Sequence, residues 1–191
     1  DVDRSRGLGD VYKRQFDMGP YYLTALVKAL GPVQEVTGYS KKTFDKRNVE
    51  NPEVNYKEIN VDVDTHYFGL LKFKSGIIVD FQVTFDIWKP YDPKLEIYGD
   101  KSSLKLADPN NYDGEIFIFD KDLYQWELIY SSTDSQNNFY RGLGVVNMVK
   151  AIKNNTVSED ELSVPFHILE VMCALDSYNI DSGWKKISQQ F

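Results

Sequence analysis

An α+β fold, with a large, mostly antiparallel open sheet and helices packed on one face, is predicted for this 191-residue chain by three observations. Amphipathic helical spacing opens and closes the sequence. Strict two-residue alternation fills its middle. Turn motifs separate the alternating runs at short, regular intervals. The order helix, many strands, helices implies an α+β domain, and consecutive hairpins make an antiparallel sheet that can leave one face accessible.

Residues 17–30, DMGPYYLTALVKAL, carry Leu23, Leu26, Val27 and Leu30 at the i, i+3, i+4, i+7 spacing of one apolar helix face. Gly31-Pro32 ends that helix, because glycine caps it and proline cannot continue it. A strand is predicted over 33–43 and a charged surface loop over 44–56, which contains Asn51-Pro52. Ile59, Val61 and Val63 alternate with Asn60, Asp62 and Asp64, as a strand with one apolar face requires. After Gly76, the residues Ile77, Val79, Phe81, Val83, Phe85 and Ile87 alternate with polar neighbours. Lys74-Ser75-Gly76 separates the runs 65–73 and 77–88 and predicts an antiparallel hairpin. Further strands are expected at 94–99, 103–107, 115–120 and 125–130, with turns at Gly99-Asp100, Asp108–Asn111 and Asp113-Gly114. Two helices close the chain. One, over 139–154, bears Val145, Met148, Val149 and Ile152; the other, over 163–179, bears Phe166, Leu169, Met172, Cys173 and Leu175.

Composition excludes several classes of function. A net charge of −7 argues against a nucleic-acid surface, which needs clustered Lys and Arg. Cys173 is the only cysteine, so no disulfide framework forms, and its apolar flanks predict a core position. No apolar run approaches the roughly 18 residues of a membrane span, and a reducing, cytoplasmic setting is expected. His66 and His167, the only histidines, lie far apart and show no metal-ligand spacing with Cys or Asp, so no metal site is expected. Gly142-Leu143-Gly144 opens a helix without a preceding strand and is not a dinucleotide fingerprint. Asn154-Asn155-Thr156 matches a glycosylation sequon, which has no consequence in a cytoplasmic protein.

Residues 1–15 stand apart. They lack periodicity, and Asp10-Val11-Tyr12-Lys13-Arg14-Gln15 is the in-frame translation of GAT GTG TAT AAG AGA CAG, the end of a transposon adapter used in sequencing libraries. The expectation is a non-native tail over 1–15 and a C-terminal substrate and oligomerisation domain over 16–191.

An ordered set of short stretches resembles the Gfo/Idh/MocA family, the glucose–fructose oxidoreductase and inositol dehydrogenase-like enzymes. The set begins at Phe16–Leu26, FDMGPYYLTAL, and continues through Thr65-His66, Leu71–Gly76, Phe85-Asp86-Ile87-Trp88 and Glu96–Gly99. Asp108-Pro109-Asn110, Arg141–Gly144 and His167–Met172 complete it. The resemblance covers essentially all of residues 16–191. It implies an N-terminal Rossmann domain that binds NAD or NADP and carries a lysine near the nicotinamide. Neither that domain nor that lysine is in this sequence. It also implies an open sheet serving as a homo-oligomer interface.

The same resemblance supplies candidate site residues. In many members the first helix of this domain carries Asp and, four residues later, His, both reaching the substrate. Here the pair reads Asp17 and Tyr21, and i, i+4 spacing puts them on one helix face. Oxidation of a secondary alcohol needs an acceptor for the hydroxyl proton. An unperturbed tyrosine, with a pKa near 10, is a poor base at neutral pH unless a cation lies beside it. Asp17 would orient the substrate hydroxyl or the tyrosine. Structural alternatives stand beside these roles: Asp17 as a helix cap, and Tyr21 as an aromatic packing residue beside Tyr22. Trp88, Arg141 and His66 are candidate substrate contacts. Sheet-edge or helix-start roles are the alternative for Trp88 and Arg141, and a hydrogen-bonded sheet position for His66. For His167 a packing or capping role is expected. The resulting expectation is the substrate-side fragment of an NAD(P)-dependent oxidoreductase acting on a sugar, inositol or related polyol, inactive alone. The alternative is a non-catalytic dimerisation or carbohydrate-binding module.

Overall fold

The computed structural model describes residues 14–48, 58–88, 95–111, 113–132, 142–156, 160–176 and 183–188. It has the α+β class and antiparallel pairing that the periodicities predict. The elements are helix α1 (Arg14–Leu30), strands β1 (Val33–Lys41), β2 (Lys46–Asn48), β3 (Glu58–Asn60), β4 (His66–Phe73), β5 (Ile78–Thr84), β6 (Glu96–Tyr98), β7 (Ser103–Lys105), β8 (Gly114–Asp120) and β9 (Gln125–Ser132), helices α2 (Leu143–Asn154) and α3 (Asp160–Asp176), and strand β10 (Lys185–Lys186). They fall into two compact units, residues 1–87 with 159–191 and residues 88–158.

In the first unit the strand order is β10-β1-β4-β5, every pairing antiparallel. The β4–β5 hairpin turns where expected, with Gly76 at φ +89° and its N–H donating to the Phe73 carbonyl at 2.9 Å; glycine takes that φ without strain. α1 and α3 pack on each other and on one face of this sheet. The core lies between the layers: Leu23, Leu26 and Val27 of α1, Val33, Val36, Leu71, Phe73, Phe81 and Val83 of the sheet, and Ile168, Val171, Met172 and Leu175 of α3 are all buried. The layers meet closely at the paired glycines Gly38 and Gly69, where a methyl group built on Gly69 would lie 2.9 Å from Leu175 Cδ2 and 2.8 Å from the Thr37 carbonyl oxygen.

Several expectations are corrected. The stretch 44–56, read as loop, contains β2, which pairs with β3 as a separate two-stranded ribbon. Its hydrophilic composition, with Lys46 bonded to Glu58 at 2.7 Å, produces no apolar alternation to find. The strand expected over 59–64 ends at Asn60, although Val61 is buried. β5 stops at Thr84, well before residue 88. Cys173 is exposed, because α3 buries the stripe His167, Ile168, Val171, Met172 and Leu175, and Cys173 lies to one side of it with Phe166 and Leu169, also exposed. Residues 1–13 lie outside the described residues; α1 already includes Arg14 and Gln15.

The second unit holds a four-stranded antiparallel sheet in the order β6-β7-β8-β9 and helix α2. Phe119 packs edge-on against Tyr124 and Trp126, at centroid separations of 5.2 and 5.4 Å, and the Lys105 ammonium sits 4.1 Å from the Trp126 ring centre. Among the described residues no helix is long and apolar enough to cross a membrane.

Candidate functional site

The Asp17–Tyr21 pair lies on α1, on the side turned from the core. At 100° per residue, Tyr21 lies more than a quarter-turn from each of the buried Leu23, Leu26 and Val27, whereas Asp17 lies closer to Val27, at about 80° around the helix. Tyr21 is about half exposed and Asp17 is half-buried. α1 begins at Arg14, so Asp17 lies within the first turn and not at the capping position; a carboxylate there still interacts favourably with the helix dipole. Pro20, inside α1, has no N–H for the carbonyl four residues earlier. Its own carbonyl accepts the Thr24 hydroxyl at 2.5 Å. The pair therefore places an exposed phenol and a half-buried carboxylate about one helical turn apart, with the helix itself anchored on the sheet.

His66 does not join them. It is the first residue of β4, paired with Lys41 on one side and Thr84 on the other. Its neighbour Tyr67 points to the helix-covered face, being buried with its hydroxyl donating to Asp176 Oδ1 of α3 at 2.8 Å. Side chains alternate along a strand, so His66 projects from the opposite, open face together with Phe68 and Leu70. The sheet separates it from Tyr21. Trp88 is fully exposed and belongs to the second unit. Arg141 lies outside the described residues.

His167 is completely buried, and its Nε2 accepts the N–H of Val33 at 2.9 Å across 134 positions of sequence. An accepting Nε2 carries no proton, so the imidazole is in the Nδ1–H form. This is a structural role: it ties α3 to the start of β1. Burial raises the Tyr67 phenol far above the usual tyrosine range, helped by the hydrogen bond to Asp176 and by the negative charges of Asp176 and Asp64.

A polar centre that the sequence reading did not single out surrounds Asp86. Its Oδ2 accepts the hydroxyls of Thr43 at 2.5 Å and Thr65 at 2.8 Å, and its Oδ1 pairs with Arg47 Nη2. Arg47 Nη2 also donates to the Phe85 carbonyl at 3.0 Å. The guanidinium carbon lies 5.9 and 5.7 Å from the ring centres of Phe44 and Phe85. The Asp86 side chain is 8% exposed and that of Arg47 28%. Arg47 Nε is buried without a hydrogen-bond partner among the described residues, which costs about 1–3 kcal/mol and offsets part of the pair's attraction. In the sequence, Asp86 stood as a polar member of the alternating run 77–88 and within the stretch Phe85–Trp88, with no role assigned to it.

Residues 15–105 match the GFO/IDH/MocA C-terminal domain. The fold is similar to levoglucosan dehydrogenase in its apo form, at 13% identity and a TM-score of 0.67, over 92% of this chain and 51% of that one. It is also similar to an NAD-binding oxidoreductase from Klebsiella pneumoniae, at 15% identity and a TM-score of 0.68, over 94% and 51% respectively. A third likeness is to levoglucosan dehydrogenase in complex with NADH and L-sorbose, at 13% and 0.64, over 91% and 49%. The chain thus spans about half the length of these structures. No curated protein matches the sequence.

Proposed function

We propose that this chain, whose residues 15–105 match the GFO/IDH/MocA C-terminal domain, is the substrate-side part of a nicotinamide-dependent oxidoreductase acting on a sugar, inositol or related polyol in the cytoplasm. The observation that carries this reading is the placement of Asp17 and Tyr21 on the accessible side of α1, at the start of the matched region. Support for the substrate class comes from the fold shared with a levoglucosan dehydrogenase structure that contains NADH and L-sorbose.

The described residues do not fit a dinucleotide. Every strand pairing among them is antiparallel, whereas a dinucleotide crevice forms at the ends of parallel strands. NAD or NADP would be held by another part of a longer protein, and would accept or supply the hydride. This chain would contribute binding and proton handling. The carboxylate of Asp17 accepts a hydrogen bond from a substrate hydroxyl or from the Tyr21 phenol and fixes its orientation. In its phenolate form the Tyr21 oxygen would receive the proton of the reacting hydroxyl, a step worth about 10²–10⁴ in rate when the acceptor is well placed. Such an acceptor needs a neighbouring cation to work near neutral pH.

The test is Tyr21→Phe in the intact parent protein, which retains the ring and removes the acceptor. The expected result is a fall in kcat of at least about a hundredfold with little change in KM. Unchanged turnover would sink the catalytic role. The 191-residue chain alone is expected to oxidise no polyol with either nicotinamide.

A second reading is favoured by the open face of the first unit's sheet, where Tyr39, Phe68 and Ile78 are each about half exposed. In this reading the chain is a non-catalytic module that dimerises or binds carbohydrate through that face. A second copy of the chain is a proposed partner under both readings.

A further inference from the structure

The β2–β3 ribbon hydrogen-bonds to no other strand of the described sheets, and its attachment converges on one carboxylate. Lys46–Asn48 pairs with Glu58–Asn60. The ribbon's outward residues Lys46, Asn48, Glu58 and Asn60 are exposed, and only Arg47, Ile59 and the adjoining Val61 turn inward. Of these, Arg47 makes the polar contact with the body of the unit, reaching both the Asp86 carboxylate and the Phe85 carbonyl. Asp86 is in turn held by Thr65, whose backbone belongs to the sheet frame: the Thr65 N–H donates to the Lys41 carbonyl, and its own carbonyl accepts from the Phe85 N–H. Thr43, on the connection leading into the ribbon, donates to the same carboxylate oxygen as Thr65. The Asp86 N–H bonds to Thr84 Oγ1, which turns the chain out of β5 at that point.

We propose that the Arg47–Asp86 pair is a latch, through which the β2–β3 ribbon opens and closes as one local unit while the helix-backed sheet stays folded. Three features support a latch over a rigid corner. The ribbon's polar outer residues are already in water and lose nothing when it opens. The closed state is weakened by the buried, unpartnered Arg47 Nε. The hydroxyls of Thr43 and Thr65 can continue to serve Asp86 when Arg47 leaves, so opening does not strip the carboxylate of its partners. Segments with few buried apolar contacts and one polar anchor are the ones that open sub-globally.

Hydrogen exchange on the complete 191-residue chain tests this. Asp86→Asn keeps the shape and removes the charge that Arg47 meets. The expected result is exchange accelerated about tenfold to a hundredfold at the Val61 amide, which bonds to the Asp45 carbonyl, and at the paired amides of β2 and β3. Amides paired between β1 and β4 should change less than about threefold. A uniform rise across the sheet would overturn the proposal, since Asp86 would then support the whole unit. No rise at the ribbon would overturn it too. If Asp86→Asn fails to fold, Thr43→Val decides the matter: it leaves both charges in place and removes one hydroxyl at an exposed position. A rise of about threefold to tenfold confined to the same amides is expected, and a uniform rise or none counts against the latch.

Discussion

Tyr67 and His167 show how single side chains tie the two layers of the first unit together. Each is buried, and each makes a hydrogen bond between α3 and the sheet. Replacing Tyr67 by Phe removes the donor to Asp176 and leaves the packing almost unchanged. The expected loss is about 1–2 kcal/mol, read from the urea midpoint at constant m-value. The same residue gives a pH dependence. Its pKa is raised in the folded chain, chiefly by burial and then by its bond to Asp176, whereas an unfolded tyrosine ionises near pH 10. Below that pH both states hold the proton and the full stability is present. Above it the unfolded chain loses the proton and the folded chain retains it, so stability falls by about 1.4 kcal/mol per pH unit. Denaturation followed between pH 9 and 11 should show a steeper decline in the parent chain than in Tyr67→Phe. Equal slopes would mean that the phenol is not protected.

At the scale of elements, the contact between α3 and the sheet depends on the facing glycines of β1 and β4. A methyl on Gly38 would lie 2.5 Å from the Phe68 carbonyl oxygen and 3.2 Å from Leu175 Cδ2. Backbone is on one side and a fully packed leucine on the other, so neither can yield cheaply. Gly69→Ala is expected to lower stability by about 1–3 kcal/mol, measured by thermal or urea unfolding, with Leu175→Ala in the same chain restoring part of the loss. A change below about 0.5 kcal/mol would show that α3 shifts freely over the sheet. Nothing local in the sequence marks these glycines. Their role follows only from the register Gly38↔Gly69 and from the helix above it. The helices and the β4–β5 hairpin, by contrast, were legible, because their signals lie within a few residues of one another. The ribbon was not, because two short hydrophilic strands carry no alternation of apolar residues.

For the whole molecule, the open face of the first sheet bears Tyr39, Phe68 and Ile78 among Lys72, Glu35 and Lys41, with the Lys72–Glu35 pair at 3.2 Å. An apolar patch with a charged border suits a second copy of the chain. Phe68→Glu should leave the fold intact, since the side chain is already about half exposed, yet lower the association state measured by analytical ultracentrifugation. Equal sedimentation of the two chains would exclude this face as the interface.

The candidate residues separate by the range of the interactions that place them. Local periodicity sufficed to put Asp17 and Tyr21 on one face of one helix, and to mark the α+β class and the antiparallel hairpins, because 3.6- and two-residue repeats are properties of neighbours in the chain. Tertiary structure alone decided that His66 faces away from Tyr21, that His167 serves Val33, and that Asp86 collects Thr43, Arg47 and Thr65. Those outcomes depend on strand register and on contacts between residues 21 to 134 positions apart. Partners at that range are chosen by packing and by the need to pair buried polar groups, which no local pattern encodes.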